Sequence, residues 1–307
     1  MTAPTPALSA RRGPLAANLI CMASMLVWAV GLPAADVLIA VLPPLVITAL
    51  RLVLAAAVLL PLWALADGWS ALRGAPWGRG IGVGGIGFGF GAYLLIVAQA
   101  RTDAVTVAVI AATMPVVGIA LECLLDGRKL TLALIVGLGL SLVGGLLAYG
   151  ARIGGFGLGL GALAAFGSVL AFTWGSRAAV TAFPGLTAIG RTTITLSGAA
   201  IVTLAAALAA NALGADTPDW AAIGPREIGA LALYAVTGLA LSQVLWILSV
   251  GQLGIGLASL HINAAPFYVM AILYALGGPW NGAQALGAAI VGVGVLIAQI
   301  PPRPARR

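Results

Sequence analysis

Long apolar runs fill this chain and leave few places for charge. Hydrophobic residues make up 62% of the 307 residues, and charged residues make up only 7%. A soluble protein of this length needs a polar shell around its core, which this composition cannot supply. The runs are also too long and too continuous for the alternating strands of an outer-membrane barrel. The sequence therefore predicts an all-α protein that crosses a membrane many times.

Ten segments reach the roughly 20 residues that a helix needs to cross the hydrocarbon core of a bilayer. Glycine and proline separate them, as in Asp67-Gly68 and Phe183-Pro184-Gly185. The predicted spans are 15–35, 43–66, 79–99, 103–125, 130–149, 155–176, 186–212, 227–250, 255–277 and 282–301.

The basic residues between these spans predict the orientation of the chain. With ten spans, both termini lie on one side of the membrane, and ten of the 15 Lys and Arg residues fall on that side. Only Arg101, Arg152 and Arg226 fall on the opposite side, and two arginines lie inside spans. Because basic residues accumulate on the cytoplasmic side, we expect both termini to be cytoplasmic in an inner (plasma) membrane. We read Arg11-Arg12 and the apolar run after it as the start of an uncleaved first helix.

The two halves of the chain carry related patterns. Pro115 and Pro266 coincide when the halves are aligned, and Gly127 then matches Gly278. Each half holds five spans, an odd number, so the second half enters the membrane in the opposite direction. Such inverted repeats are typical of transporters that work by alternating access. The predicted repeats are residues 1–150 and 151–307.

The two matched prolines are predicted to bend spans 4 and 9 near the membrane centre. Proline lacks an N–H, so Pro115 and Pro266 cannot donate to the carbonyls of Ala111 and Ile262. Freed backbone carbonyls at this depth are tolerated only where protein or water satisfies them. Each proline alone is equally consistent with a kink that touches no ligand, and the matched pair favours a functional role.

The whole pattern resembles a known transporter family. Ten spans in two halves, each closed by a proline, a glycine about 12 residues later and another about 10 beyond it, resemble the drug/metabolite transporter superfamily, EamA type. The segment 114–147 is the best local match, and Pro279-Trp280-Asn281 departs from the usual pattern. Within the superfamily, Trp28, Tyr93 and Trp174 are similar to residues of YddG-type amino acid exporters.

This resemblance implies an exporter in the inner membrane. The implied substrates are amino acids, with aromatic and other neutral ones favoured, or related small metabolites. The implied fold holds a central cavity lined by spans 1, 3, 4, 6, 8 and 9.

Polar and aromatic side chains inside the spans are the predicted lining of the pathway. One cluster is expected above the membrane centre, its counterpart below, and a central group near the two prolines. Aromatic rings and amides suit an amphipathic solute, although an interfacial belt position is the alternative for Trp28 and Trp174. The predicted substrate-binding residues are Trp28, Tyr93, Gln99, Thr113, Trp174, Gln243, Trp246, His261 and Asn263.

Two arginines lie inside apolar stretches, Arg51 in span 2 and Arg191 in span 7. A charge at the centre of a membrane helix costs roughly 2.5–3.5 kcal/mol on insertion scales, so each arginine needs a partner or a path to water. Snorkelling or a bond between helices is favoured over contact with a substrate carboxylate. We expect the two residues to flank opposite mouths of one pathway.

Ion coupling is predicted to be weak or absent. The acidic residues fall in loops or near span ends, whereas proton- or sodium-coupled transporters usually place one at the membrane centre. His261 is the one histidine, and it either relays protons or is held by an ordinary hydrogen bond.

Other classes of protein fit the sequence less well. No catalytic residues, metal site or cofactor are predicted, and Cys21 and Cys123 read as small buried hydrophobic residues. The alternatives are a broad-substrate drug or metabolite efflux transporter, a channel and, more distantly, a membrane-embedded enzyme. The expected partners are a small-molecule substrate and the lipid bilayer, with no nucleic acid, and the expected state is a monomer.

Overall fold

The computed structural model describes residues 13–101, 110–111, 113–149, 159–215, 217–264, 268, 274–275, 280 and 282–300. Within these ranges all regular secondary structure is helical. Ten main helices lie within or close to the predicted spans, and short helices at Trp69–Arg73 and Trp220–Ala222 occur in the loops. The main helices are α1 Pro14–Ile39, α2 Pro44–Asp67, α3 Trp77–Arg101, α4 Met114–Asp126, α5 Leu132–Tyr149, α6 Leu160–Thr181, α7 Ala188–Ala212, α8 Pro225–Leu253, α9 Ile255–Ala264 and α10 Gly282–Ala298.

Six of the described helices are long and apolar enough to cross a membrane: α1, α2, α3, α6, α7 and α8. Shorter apolar helices lie at Leu132–Gly144, Ile255–Ala264 and Ala285–Ala298, within α5, α9 and α10. An all-helical, multi-pass membrane protein is therefore confirmed, while the count of ten spans stays a prediction.

Proline and glycine set several helix ends. Pro44 and Pro225 begin α2 and α8, where a residue without an N–H removes no helical hydrogen bond. Gly127 ends α4 with φ 66°, and Gly254 separates α8 from α9 with φ 80°. These left-handed conformations strain any residue with a Cβ, so glycine stops the helix at little cost.

The predicted kink at Pro115 takes the form of a helix start. The helical residues Ile110 and Ala111 precede a turn at Thr113, and Pro115 then occupies the first turn of α4. Pro115 therefore lies in the first turn of α4, where its missing N–H leaves no helical hydrogen bond unmade. The matching position, Pro266, lies outside the described residues.

Helices of the first half pack on helices of the second half. The pairs are α1 with α8, α2 with α7, α3 with α6, α4 with α9 and α5 with α10. If each helix is replaced by its counterpart in the other half, the α1–α8 pair becomes the α6–α3 pair. The fold therefore depends on contacts between helices that are far apart in sequence.

Glycines allow several of these pairs to approach at backbone distance. A Cβ placed on Gly31 of α1 would lie 2.8 Å from the Cα of Gly238 in α8. A Cβ placed on Gly87 of α3 would lie 2.5 Å from the Cα of Gly175 in α6. No side chain fits in either place, so van der Waals contact between backbones holds these helices together.

Both α3 and α8 contain a π-helical stretch where they meet their partners. The stretches are Gly84–Phe90 in α3 and Leu233–Leu241 in α8. Each one includes the glycine of the close contact, Gly87 or Gly238. Single π-helical turns widen a helix and often occur at functional sites.

Charged residues join the helix ends at the side predicted to be cytoplasmic. Glu122 of α4 pairs with Arg128 and accepts a bond of 2.9 Å from the backbone N–H of Gly256 in α9. Asp126 pairs with Arg177 of α6, and the guanidinium holds the pKa of that carboxyl below its ordinary value. Because acidic groups stabilise helix N-termini, Glu122 also fixes the start of α9.

We expect Gly87→Ala to destabilise the protein, because the new methyl group would separate α3 from α6. Overpacking of this kind costs about 1–3 kcal/mol. Gly82→Ala is the matched control in the same helix, since nothing lies within 4 Å of a Cβ at that position. Thermal unfolding of the detergent-purified variants should show a lower melting temperature for Gly87→Ala only. Equal melting temperatures would contradict the close contact.

Candidate substrate cavity

A cavity of about 130 Å³ lies between the helices of the two halves. Most of its wall is apolar, and α2 and α7 contribute to it in addition to the six spans that were expected. The lining residues are Ser24, Met25, Trp28, Arg51, Leu52, Phe88, Gly91, Ala92, Leu95, Ala111, Met114, Ser168, Val169, Phe172, Leu196, Gly238, Leu239, Ser242, Gln243, Trp246 and Ile262.

The wall consists largely of residue pairs at two fixed offsets, with one member in each half. The pairs are Ser24 and Ser168, Met25 and Val169, Trp28 and Phe172, Leu52 and Leu196, Phe88 and Leu239, Gly91 and Ser242, Ala92 and Gln243, Leu95 and Trp246, and Ala111 and Ile262. The first four pairs lie 144 positions apart and the other five lie 151 positions apart. Equivalent positions of the two halves therefore face the same space.

Two serine hydroxyls make equivalent bonds across this space. Ser24 of α1 donates to the backbone carbonyl of Ser242 in α8 at 2.8 Å, and Ser168 of α6 donates to that of Gly91 in α3 at 2.7 Å. All four residues belong to the pairs described above. The bonds fix α1 to α8 and α6 to α3 beside the cavity, and each uses the only hydrogen of its hydroxyl.

Aromatic rings form one part of the wall. The ring centroids of Phe88 and Phe172 lie 5.5 Å apart in an edge-to-face arrangement, and those of Phe172 and Trp246 lie 6.1 Å apart. Trp246 is 1% exposed, and its indole N–H donates to Ser176 at 2.9 Å. This aromatic cluster of Phe88, Phe172 and Trp246 offers an apolar surface held rigid by packing.

Arg51 is the one charged residue among the described residues that line the cavity, and it is only 5% exposed. Its guanidinium Nη1 donates to the hydroxyl of Tyr234 in α8 at 2.5 Å, and its Cζ lies 3.9 Å from the centroid of that ring. The side chain bonds to a neighbouring helix, one of the two favoured expectations, and does not snorkel.

Two buried donors of the wall lack a partner. Neither Nε of Arg51 nor Nε2 of Gln243 has a hydrogen-bond partner, and both side chains are at least nine-tenths buried. Buried polar groups are nearly always paired, so each unpaired one needs an explanation.

Three of the nine predicted binding residues line the cavity: Trp28, Gln243 and Trp246. Trp174 instead packs against a hydrophobic cluster that contains Trp63 of α2 and Ile194 of α7, and it does not line the cavity. The side chains of Tyr93 and Gln99 are half-buried and do not line the cavity.

The three central candidates make structural bonds. Asn263 donates to Ser141 of α5 at 2.9 Å, and Thr113 donates to the carbonyl of Ile110 at 2.6 Å. The Nδ1 atom of His261 lies 3.2 Å from the carbonyl oxygen of Ala258 in the same helix. None of the three is part of the cavity wall.

Arg191 plays a different part from Arg51. It is half-buried and donates to the carbonyls of Phe183 and Pro184 in the loop before α7. Its position near a pathway mouth stays a prediction. The offset of 144 positions makes Thr195, and not Arg191, the residue equivalent to Arg51.

Phe172, Ser24 and Ser168 line the cavity but are not among the residues predicted from the sequence. The offset of 144 positions makes Phe172, and not Trp174, the equivalent of Trp28. The serines recur at the same offset and could have been found by aligning span 1 with span 6 residue by residue.

Among the described residues, no group of three or more His, Cys, Asp or Glu side chains is placed to hold a metal ion. Both Cys21 and Cys123 are free thiols, Cys21 buried and Cys123 half-buried.

Comparison with known proteins agrees with this architecture. One crystal structure superposes on this chain with a TM-score of 0.75 at 24% sequence identity. The match covers 93% of this chain and 96% of the other. That likeness shows the fold alone. No curated protein matches the chain. Residues 15–150 match the profile of the EamA-like transporter family. The first half of this chain is therefore similar to the EamA-like transporter family.

Proposed function

We propose that this protein is a secondary transporter that exports amino acids or related small metabolites across the inner membrane by alternating access. Its two five-helix repeats, residues 1–150 and 151–307, would have opposite orientations in the membrane. The single observation that carries the proposal is the cavity wall, in which equivalent positions of the two halves face each other.

Paired walls suit alternating access for a physical reason. If the two halves have inverted topology, exchanging their conformations converts an inward-facing cavity into an outward-facing one of similar energy. The helix pairs then need surfaces that slide without large side chains blocking the motion. The contacts of Gly31 with Gly238 and of Gly87 with Gly175 provide such surfaces at α1–α8 and α3–α6.

The wall also favours a certain kind of solute. Its aromatic cluster and aliphatic residues suit an apolar body, and Arg51 and Gln243 supply donors for a polar end. Amino acids with aromatic or aliphatic side chains have both features. A broad-substrate efflux transporter for cationic drugs fits less well, because the described wall contains a cation and no carboxylate.

Trp28→Ala and Trp246→Ala are expected to reduce transport of an amino acid such as phenylalanine into liposomes by about tenfold, since each loses apolar contact worth about 1.4 kcal/mol or more. Trp69→Ala is the matched control, because Trp69 is 68% exposed and far from the wall. Uptake of radiolabelled amino acids, cationic dyes and nucleosides should be measured for all four proteins. Unchanged flux in both cavity variants would remove the cavity from the pathway.

Transport should continue without an imposed proton gradient. No carboxylate lines the described cavity, and His261 lies outside its wall, so nothing there binds and releases a proton with the solute. Counterflow in liposomes with a protonophore should equal counterflow without it, and His261→Asn should leave the pH profile unchanged. A rate that collapses with the protonophore would contradict weak coupling.

The orientation can be tested by labelling of single cysteines. In a background with Cys21→Ala and Cys123→Ala, Lys129→Cys should react with an impermeant maleimide only after the cells are opened. Trp220→Cys should react in intact cells, because the loop between α7 and α8 is predicted to face outward. Both positions are exposed. Labelling of both from the same side would contradict the proposed inversion.

A further inference from the structure

Two nitrogen donors of the cavity wall are unpaired. Arg51 of α2 and Gln243 of α8 both line the cavity, and Nε of Arg51 and Nε2 of Gln243 are buried without a hydrogen-bond partner. The equivalent of Arg51 in the second half is Thr195, and the equivalent of Gln243 in the first half is Ala92. The wall therefore carries one guanidinium and one amide that have no counterpart in the other half.

Nothing among the described residues neutralises Arg51. Its bonded partner is the hydroxyl of Tyr234, and no carboxylate of the described residues pairs with it. The two ion pairs of the described structure, Glu122 with Arg128 and Asp126 with Arg177, lie at helix ends and use other arginines. Buried charges are normally paired with an opposite charge, so an anion that enters the cavity would supply the missing partner.

The serine hydroxyls of the wall do not compete for this role. Ser24, Ser168 and Ser242 all donate their hydrogens to backbone carbonyls, which leaves Arg51 and Gln243 as the side-chain donors for a solute. An apolar solute body has the aromatic cluster to contact on the remaining wall. The wall thus offers donors for an anionic group and aromatic rings for an apolar group.

We propose that the cavity recognises its solute by a carboxylate bound to Arg51, and that an α-ammonium group is not required. The proposal rests on the transport function and names its substrate class as carboxylates with an apolar body, of which neutral amino acids are one kind. Guanidinium and carboxylate match in geometry and charge, and the unpaired Nε supplies one of the two parallel bonds such pairs make. Gln243 donates to a second acceptor further along the solute.

Binding to the detergent-purified full chain distinguishes the groups of the solute. The probes are phenylalanine, 3-phenylpropionate, which lacks the ammonium, and phenethylamine, which lacks the carboxylate, with leucine, 4-methylpentanoate and isopentylamine as an aliphatic series. Isothermal titration should show binding of the carboxylates with and without the ammonium, and at least tenfold weaker binding of the amines. Amines that bind as tightly as the matching carboxylates, or carboxylates that do not bind in either series, would overturn the proposal.

Variants of the two membrane arginines assign the effect to Arg51. Arg51→Met should weaken carboxylate binding at least tenfold, and Arg51→Lys should restore part of it, because the charge returns without the planar fork. Arg191→Met is the matched control, since Arg191 bonds only loop carbonyls, and it should bind as the wild type does. Equal binding by Arg51→Met and wild type would overturn the proposal. Should Arg51→Met fail to fold, Arg51→Lys and the wild-type probe series still decide the question.

The two proposals fail in different ways. If liposomes take up an amine through a route that Trp28→Ala blocks, transport through the cavity stands and carboxylate recognition is wrong. If carboxylates bind but no solute crosses, recognition stands and the transport function is wrong.

Discussion

Backbone contact between the two halves is the constraint on which this structure depends. Lipid is as apolar as the helices, so burial of apolar surface cannot drive the helices together as it does in water. The halves must instead approach closely enough for dispersion forces and short hydrogen bonds to act. Gly87 against Gly175 and Gly31 against Gly238 allow that approach, and the bonds of Ser24 and Ser168 lie one or two turns away on the same interfaces. The cavity lies beside these contacts, so its shape follows from them.

Much of the fold could be predicted from the sequence because apolar length is a direct physical signal. The segments 43–66, 186–212 and 227–250 correspond closely to α2, α7 and α8. Helix ends at Gly127 and Gly254 follow from the conformations that only glycine adopts easily. The interruption before Pro115 was harder to predict, because the sequence alone does not distinguish a bent helix from one that stops and starts again.

The candidate site was predicted less well, because the sequence does not show which way a side chain inside a span points. Trp28, Gln243 and Trp246 line the cavity, but Trp174 and Asn263 make contacts between helices. A polar or aromatic side chain inside a span can face either a cavity or a neighbouring helix, and its type does not reveal which. The π-helical stretches in α3 and α8 add to the difficulty, because they rotate the residues that follow relative to an ideal helix.

A transporter of this design has to meet two opposing demands. Exchange between two conformations is easiest when the halves present equivalent surfaces, and the paired lining positions meet that demand. Recognition of a solute with unlike ends requires walls that differ. In this chain the two halves contribute equivalent positions to the wall, but the residues at those positions differ in chemistry. Leu95 corresponds to Trp246, and Ala92 corresponds to Gln243. Arg51, whose equivalent is Thr195, is the largest of these differences. Its hydrogen bond to the buried phenol of Tyr234 holds the guanidinium in one position. Under the proposed function, equivalent backbones would exchange conformations around a solute whose orientation is set by Arg51.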